Sequence, residues 1–374
     1  MAVFKIFPEK DATLYSEYGN MNTGRDEILE IASYYKGSTS YVNRSLIAFD
    51  STEISNVLNS YVTSSDRAVT DFSASIKMYL ASANELPTAY TIEAFPVYTR
   101  TLGTFTVGNG KYGDVPRNQS GVSWDNIAGT GSLSWAVASK VTASYSASSV
   151  EGGAWYTGSG AYDFTVMTQS HAVNSTHDID INVTEGVKAH YAGEIDNAGF
   201  ILKLQNNLEF QTSRQIYLRY FSSDTHTIYP PCLEIKWDDF TNDTTLSEVT
   251  DPNIVLKIKN NRGKYTDVGR QRFNLHTRPK YPARTFATSS AYLDNYYLPT
   301  SSYWGLRDEN TEEMVIDFDT TFTKISRNST GNYFDVYMEG LEPERHYRVL
   351  IKSEIDGSTN VIDEDLVFKV VRNG

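Results

Sequence analysis

The sequence of 374 residues contains a single cysteine, Cys232, so no disulfide can form within the chain. A small secreted scaffold stapled by disulfides is therefore excluded, and the fold has to be held together by packing. A chain of this length can form two or three domains, each with its own core. Cys232 lies in the run Tyr229-Pro-Pro-Cys-Leu-Glu-Ile, where we expect a buried strand cysteine rather than a catalytic thiol.

Long apolar runs are also missing, since no stretch approaches the ~20 residues that a membrane helix requires. The short apolar stretch at the N-terminus is broken by Lys5 and Pro8, so it does not provide the apolar core of a signal peptide. We therefore expect a soluble protein that is made in a cytoplasm and has no membrane partner.

Basic residues are outnumbered, with 33 Lys and Arg against 46 Asp and Glu and a net charge of −13. Phosphate backbones bind basic surfaces because binding releases counterions, so we expect no nucleic-acid partner. The acidic excess favours solubility at high local concentration.

Motifs of known chemistry are absent from the sequence. No His-Glu-x-x-His, Walker pattern or Gly-x-Ser-x-Gly elbow occurs, so we expect no catalytic residue and no cofactor. Asp178 and Asp180 lie on one face of a predicted strand and could serve a calcium site or a glycosidase, but we expect them to be solvated. No metal site is predicted.

The alternation of apolar and polar residues predicts β-strands throughout the chain. In Ala74-Ser-Ile-Lys-Met-Tyr-Leu-Ala, for example, Ala74, Ile76, Met78 and Leu80 fall on one face. The 26 tyrosines suit a pleated, half-buried surface. One short helix is predicted after Asn182. This pattern indicates an all-β protein of antiparallel sandwiches in tandem.

The domain boundary is predicted at an acidic, polar stretch that follows a complete strand. We expect a first β-sandwich over residues 1–238, with long Gly- and Ser-rich loops at about 101–162, a linker over 239–253 and a second β domain over 254–374.

Six short motifs follow one another in the first domain, and together they resemble a family named DNRLRE. The segments are Lys10-Asp-Ala-Thr-Leu-Tyr, Asn22-Thr-Gly-Arg-Asp-Glu-Ile-Leu, Asn43-Arg-Ser-Leu-Ile-Ala-Phe-Asp, Asp180-Ile-Asn-Val-Thr, Asn197-Ala-Gly-Phe and Pro231-Cys-Leu-Glu-Ile, with Trp124 as the loop tryptophan. The family occurs in extracellular and virion proteins and is related to carbohydrate-binding modules. The resemblance implies a jelly-roll-like β-sandwich.

Two further resemblances concern the ends of the chain. The opening Val3-Phe-Lys-Ile-Phe-Pro, continued to Asn22-Thr-Gly, is similar to the start of virion structural proteins of large tailed phages of marine bacteria. The segment Leu341-Glu-Pro-Glu-Arg-His-Tyr resembles the tyrosine corner of fibronectin type III and immunoglobulin-like sandwiches. That resemblance implies an Ig-like second domain in which the hydroxyl of Tyr347 ties the corner backbone.

Two sets of residues are candidates for binding. Exposed aromatic rings can stack on sugars, which makes Trp124, Trp135 and Trp155 possible glycan contacts, although they could instead anchor long loops. A basic segment could dock an acidic partner, such as the first domain of a neighbouring copy, or could be a solvated sheet face. Its cations are Lys257, Lys259, Arg262, Lys264, Arg270, Arg272, Arg278, Lys280 and Arg284, against the single acid Asp267.

The sequence therefore leads to two hypotheses. The first is a non-catalytic structural component of a tailed-phage virion, located at the neck, collar, tail, baseplate or head and assembled in the host cytoplasm. Its partners would be other virion proteins, with a homo-oligomer expected in the particle. The alternative is a carbohydrate-binding adhesion module that recognises a polysaccharide on the host surface.

Overall fold

The computed structural model describes residues 2–63, 71–99, 103–117, 119–129, 133–135, 146–149, 152–259, 261–283 and 290–373. The chain divides into two compact units. The first unit is Ile6–Glu234, and the second unit comprises Met1–Lys5 with Ile235–Gly374. Both units are built of β-strands, as the alternating pattern predicted.

The strands that precede the second unit, together with the two strands at the division, are numbered here along the chain. They are β1 (Ala2–Ile6), β2 (Lys10–Tyr15), β3 (Ile28–Lys36), β4 (Thr39–Ala48), β5 (Ser73–Met78), β6 (Leu80–Asn84), β7 (Ala89–Pro96), β8 (Asn126–Ala128), β9 (Leu133–Ser134), β10 (Ser146–Ser149), β11 (Ala154–Thr157), β12 (Thr168–Ala172), β13 (Ile179–Asn182), β14 (Phe200–Leu204), β15 (Ile216–Phe221) and β16 (Cys232–Trp237). The division between the units falls within β1 and β16.

One large sheet dominates the first unit. Its strands lie in the order β12-β7-β14-β4-β3-β15-β6, with β2 paired to β4, and these neighbouring strands are antiparallel. A further antiparallel pair joins β5 to β13. Ala74, Ile76 and Met78 are buried on one face of β5 as predicted, whereas Leu80 is only partly buried and lies in β6. Cys232 is buried in β16, which confirms the interpretation of the lone cysteine.

Two short α-helices interrupt the strands of the first unit. Helix α2 (Thr184–Tyr191) confirms the predicted helix after Asn182, whose side chain accepts the Thr184 N–H at 3.0 Å. Helix α1 (Ser51–Val57) was not predicted, although Asp50 caps it by accepting the N–H groups of Thr52 and Glu53. A π-helical turn at Leu58–Val62 follows α1, and 3₁₀ turns lie at Phe164–Val166 and Asn206–Leu208.

The second unit contains two sheets. Its strands are β17 (Ile254–Lys259), β18 (Lys264–Thr266), β19 (Arg270–Pro279), β20 (Ser302–Asp308), β21 (Met314–Ile316), β22 (Ser326–Asn328), β23 (Gly331–Tyr337), β24 (His346–Ile355), β25 (Ser358–Ile362) and β26 (Val367–Val371), with a 3₁₀ turn at Met338–Gly340. One sheet has the order β17-β19-β23-β22, and the other β18-β26-β24-β20-β21 with β25 paired to β24.

Aromatic rings from both sheets form the core of the second unit. Phe273 of β19 stacks on Phe334 of β23 at 5.4 Å between ring centroids, and Trp304 of β20 stacks on Phe334 at 5.1 Å. Phe368 of β26 contacts Phe273 at 5.2 Å. The two sheets thus pack face to face as a sandwich. The Tyr347 hydroxyl donates to the Glu342 carbonyl at 2.9 Å, which confirms the predicted role of this corner tyrosine.

Residues 239–253, the expected linker, bond to the second unit. The Asp243 N–H donates to the Arg327 carbonyl at 3.1 Å, and the Val249 N–H donates to the Tyr297 carbonyl at 2.9 Å. Val249 is also part of the buried core. The segment is therefore an ordered part of the second unit rather than a free connection.

Candidate functional site

The three candidate tryptophans are buried. Trp124, Trp135 and Trp155 are 4%, 1% and 5% exposed, so their rings offer no open face on which a sugar could stack. The Trp135 indole N–H donates to the Ser123 carbonyl at 2.8 Å, which fixes a loop from within. Of the two possibilities that the sequence left open for these tryptophans, glycan contacts or anchors of long loops, their burial favours the anchors.

Trp124 and Trp155 enclose a buried arginine. The guanidinium of Arg44, on β4, lies 4.9 Å from the Trp124 ring and 5.2 Å from the Trp155 ring. It donates twice to Glu209, from Nε at 2.9 Å and from Nη2 at 2.8 Å, and once to the Gly152 carbonyl at 2.9 Å. A buried charge needs this degree of pairing to be tolerated in an apolar interior.

A second buried cation extends the same network. Lys203 of β14 is fully buried, and its ammonium lies 3.5 Å from Glu209 and 3.1 Å from Glu93. The ammonium also donates to the Leu204 carbonyl at 2.7 Å and to Asn206 Oδ1 at 2.9 Å. Two cations and two carboxylates thus join three strands and two loops of the first unit.

A buried amide holds another pair of loops. The Asn22 side chain is fully buried, and its Nδ2 donates to the carbonyls of Val107 at 2.7 Å and Val122 at 2.8 Å. Its Oδ1 accepts the Gly110 N–H at 2.8 Å. A Cβ at Gly108 would lie 2.4 Å from Asn22 Oδ1, so only glycine leaves room for this amide.

Residues of the six short sequence motifs of the first domain therefore have structural roles. Besides Asn22 and Arg44, the Thr23 hydroxyl bonds to both backbone groups of Thr13, and Asn197 Nδ2 donates to the Phe49 carbonyl at 2.9 Å. Asp11 accepts the Ser223 N–H at 2.6 Å. Burial raises the pKa of Asp11 to about 6, although this hydrogen bond opposes the increase.

The basic segment is divided among different surfaces. Arg272 donates to both oxygens of Asp335, at 2.9 and 2.8 Å, and Arg270 lies 3.7 Å from the same carboxylate, which is 4% exposed. Arg262 and Lys264 are exposed in the turn before β18 and in β18 itself, in the other sheet. Lys280 follows the end of β19, and Arg284 lies outside the described residues.

Three cations remain together on the outer face of β17 and β19. Lys257 is opposite His276 in the strand register, Val255 is opposite Arg278, and Lys259 is opposite Asn274. Burial lowers the pKa of His276, and the positive charges of Lys259, Arg278 and Lys257 lower it further. Among the residues described, none of these three cations has a carboxylate partner within 4.0 Å. We refer to Lys257, Lys259 and Arg278 as the basic face.

The paired acids that the sequence drew attention to take part in local contacts. Asp178 Oδ1 accepts the Leu80 N–H at 2.7 Å, and Asp180 lies 3.7 Å from the Lys77 ammonium. Within the described ranges, no group of three or more His, Cys, Asp and Glu side chains could hold a metal ion. No helix in the same part of the chain is both long and apolar enough to span a membrane.

Removing one partner of the Arg44–Glu209 pair leaves a buried charge uncompensated. We expect Glu209→Gln to lower the free energy of unfolding by about 3–5 kcal/mol in urea denaturation. Glu194→Gln, at an exposed position, is the control and changes stability by less than about 0.5 kcal/mol. Equal stabilities of the two variants would contradict the role of the pair.

The raised pKa of Asp11 predicts a pH-dependent stability. The folded chain holds the Asp11 proton more tightly than the unfolded chain, so this contribution is complete below about pH 3.8 and is lost as the pH rises through about 6. Asp11→Asn should therefore gain stability relative to the parent chain between pH 4 and pH 7 in urea titrations. A difference in stability that is independent of pH would contradict this assignment.

No protein-family model matches the chain, and no curated protein matches it at a significant level.

Proposed function

We propose that the chain is a non-catalytic structural component of a tailed-phage virion that acts through protein–protein assembly surfaces. The basic face is the observation that carries the proposal. Its three cations lie on one side of a sheet in a chain whose net charge is −13. Charge complementarity of this kind steers association and sets its register.

The partner that fits the basic face best is the acidic first domain of a second copy. Residues 1–238 contain 16 Lys and Arg against 25 Asp and Glu. A repeating subunit with one basic face and one acidic domain can join head to tail, which is how open or ring-shaped assemblies grow.

The rigidity of the first unit also supports an assembly role. Arg44, Lys203 and Asn22 are buried, and their bonds hold the loops at Gly152, Glu209 and Val107 in one arrangement. Loops that are ordered before binding reduce the entropy lost on association. The resemblances of the first domain and of the opening segment to virion proteins support the virion as the place of assembly.

Lysines on an edge strand also discourage sheet-to-sheet aggregation, and β17 lies at the edge of its sheet. Charge reversal distinguishes protection against aggregation from docking of an acidic partner. Glutamate prevents strand pairing at the sheet edge as well as lysine does, but it repels an acidic partner. The variant Lys257→Glu/Lys259→Glu leaves the Arg272–Asp335 pair intact. Changing Arg270 and Arg272 to Glu is unsuitable as a test of docking, because it would place further carboxylates against the buried Asp335 and disturb the fold.

We expect the parent chain to self-associate in sedimentation velocity at about 50 mM salt and to dissociate towards about 500 mM, where exposed pairs are screened. Lys257→Glu/Lys259→Glu should be monomeric at both salt concentrations. Arg262→Glu/Lys264→Glu makes the same change of charge elsewhere in the second unit and should behave like the parent chain. Monomeric parent protein, or equal association of the two variants, would contradict the role of the basic face.

The place of assembly has its own test. A mass-spectrometric inventory of purified particles of the phage that carries this sequence should contain the chain at the copy number of a structural protein. Recovery only from the soluble fraction of infected cells would contradict the virion assignment.

A further inference from the structure

A polar cleft opens in the first unit beside β2 and β3. Its volume is about 300 Å³, which is at the small end of ligand sites. The lining combines aromatic rings, carboxylates and basic groups, including Tyr15, Tyr112, Asp26, Glu27, Glu30 and Arg219. A neighbouring depression of about 420 Å³ shares Glu27 and Lys111 with it, so the two depressions adjoin each other.

One wall of the cleft is an accessible tyrosine. Tyr112 is 44% exposed, and its ring centroid lies 5.2 Å from that of the buried Tyr15 and 6.4 Å from that of Tyr18. The Arg117 guanidinium lies 4.1 Å from the centroid of the Tyr18 ring and 5.6 Å from that of the Tyr112 ring. The neighbouring rings hold Tyr112 in place, while part of its surface stays open to a ligand.

The floor of the cleft carries hydrogen-bonding groups in fixed positions. Glu30 accepts from Arg219 Nε at 2.7 Å and from Asn43 Nδ2 at 3.0 Å. The two Nη groups of Arg219 have no hydrogen-bond partner among the residues described, so their N–H donors are available to a ligand. Glu27 is exposed, and its carboxylate lies 3.8 Å from the Lys111 ammonium.

The rim of the cleft is held in place by the first unit itself. Asp26 accepts the Tyr112 N–H with both oxygens at 3.1 Å, and Asn22 holds Gly110 two residues earlier. Burial raises the pKa of Asp26 to about 6. A ligand therefore meets a wall that needs little further ordering, which favours binding.

We propose that this cleft binds a neutral saccharide. A sugar presents hydroxyls that both donate and accept, which suits alternating carboxylates and N–H donors, and an apolar C–H face, which suits the Tyr112 ring. The linings of the two depressions contain five carboxylates against three Lys and Arg side chains, so a uronate or sulfated polymer is repelled. The site uses other residues than the basic face.

The test uses cellohexaose, maltohexaose and N-acetylated chitohexaose as neutral probes, with a hexamer of mannuronate as the anionic probe. In titrations followed by isothermal calorimetry or NMR, we expect at least one neutral probe to bind the full chain at millimolar or better affinity, and the mannuronate to bind at least about tenfold more weakly.

Variants then locate the site. Tyr112→Ala should weaken binding by about tenfold or more, whereas Tyr112→Phe keeps the ring and stays within about threefold of the parent chain. Tyr292→Ala, at a 57% exposed tyrosine of the second unit, is the matched control and should bind normally. Glu27→Gln removes an exposed carboxylate acceptor without touching the rings, and it should weaken binding even if Tyr112→Ala fails to fold.

Three results would overturn the proposal. The first is that no neutral probe binds at about 10 mM. The second is that the mannuronate hexamer binds more tightly than the neutral probes. The third is that the parent chain and both cleft variants, Tyr112→Ala and Glu27→Gln, bind with equal affinity while circular dichroism confirms that the variants are folded.

Discussion

The first unit depends on a buried arginine that cannot be left unpaired. Arg44 on β4 is satisfied by Gly152, 108 residues further along the chain, and by Glu209, 165 residues further along. Both segments must be in place before the charge is compensated, because an uncompensated buried charge costs several kcal/mol. The pair therefore links distant, irregular parts of the chain to the sheet, and it does so without a disulfide.

Other polar side chains likewise fix distant parts of the chain through internal hydrogen bonds and ion pairs. Asn22 holds the loops at Val107 and Val122, and in the second unit Arg272 is fixed on the nearly buried Asp335. Charges that form such internal pairs are not available to bind another molecule. Among the described residues, the cations of the basic face have no carboxylate partner, and the Nη groups of Arg219 in the cleft have no hydrogen-bond partner. Both surfaces differ in this respect from the many polar residues that only maintain the fold.

Regular structure was predictable from the sequence, whereas the roles of single side chains were not. The two-residue period placed β5 correctly, and the spacing of Leu341, Pro343 and Tyr347 identified the corner bond. Trp124 and Trp155 lie in a Gly- and Ser-rich stretch that suggested exposure, but both rings pack against Arg44, which is far away in sequence. Likewise, Asp335 lies 63 residues from Arg272, so no local pattern revealed that the basic segment was partly neutralised. The cap of α1 at Asp50 was a local signal that could have been found.

We infer that buried side chains make the irregular loops of the first unit as rigid as its sheet. Amide hydrogen exchange read by mass spectrometry tests this most directly, since protection reports the free energy of local opening. We expect slow exchange over residues 103–117 and 119–129, comparable to that of β3 and β4, and fast exchange in these loops when Asn22 is changed to Ala. Exchange of these loops at the rate of an unstructured chain in the parent protein would contradict it.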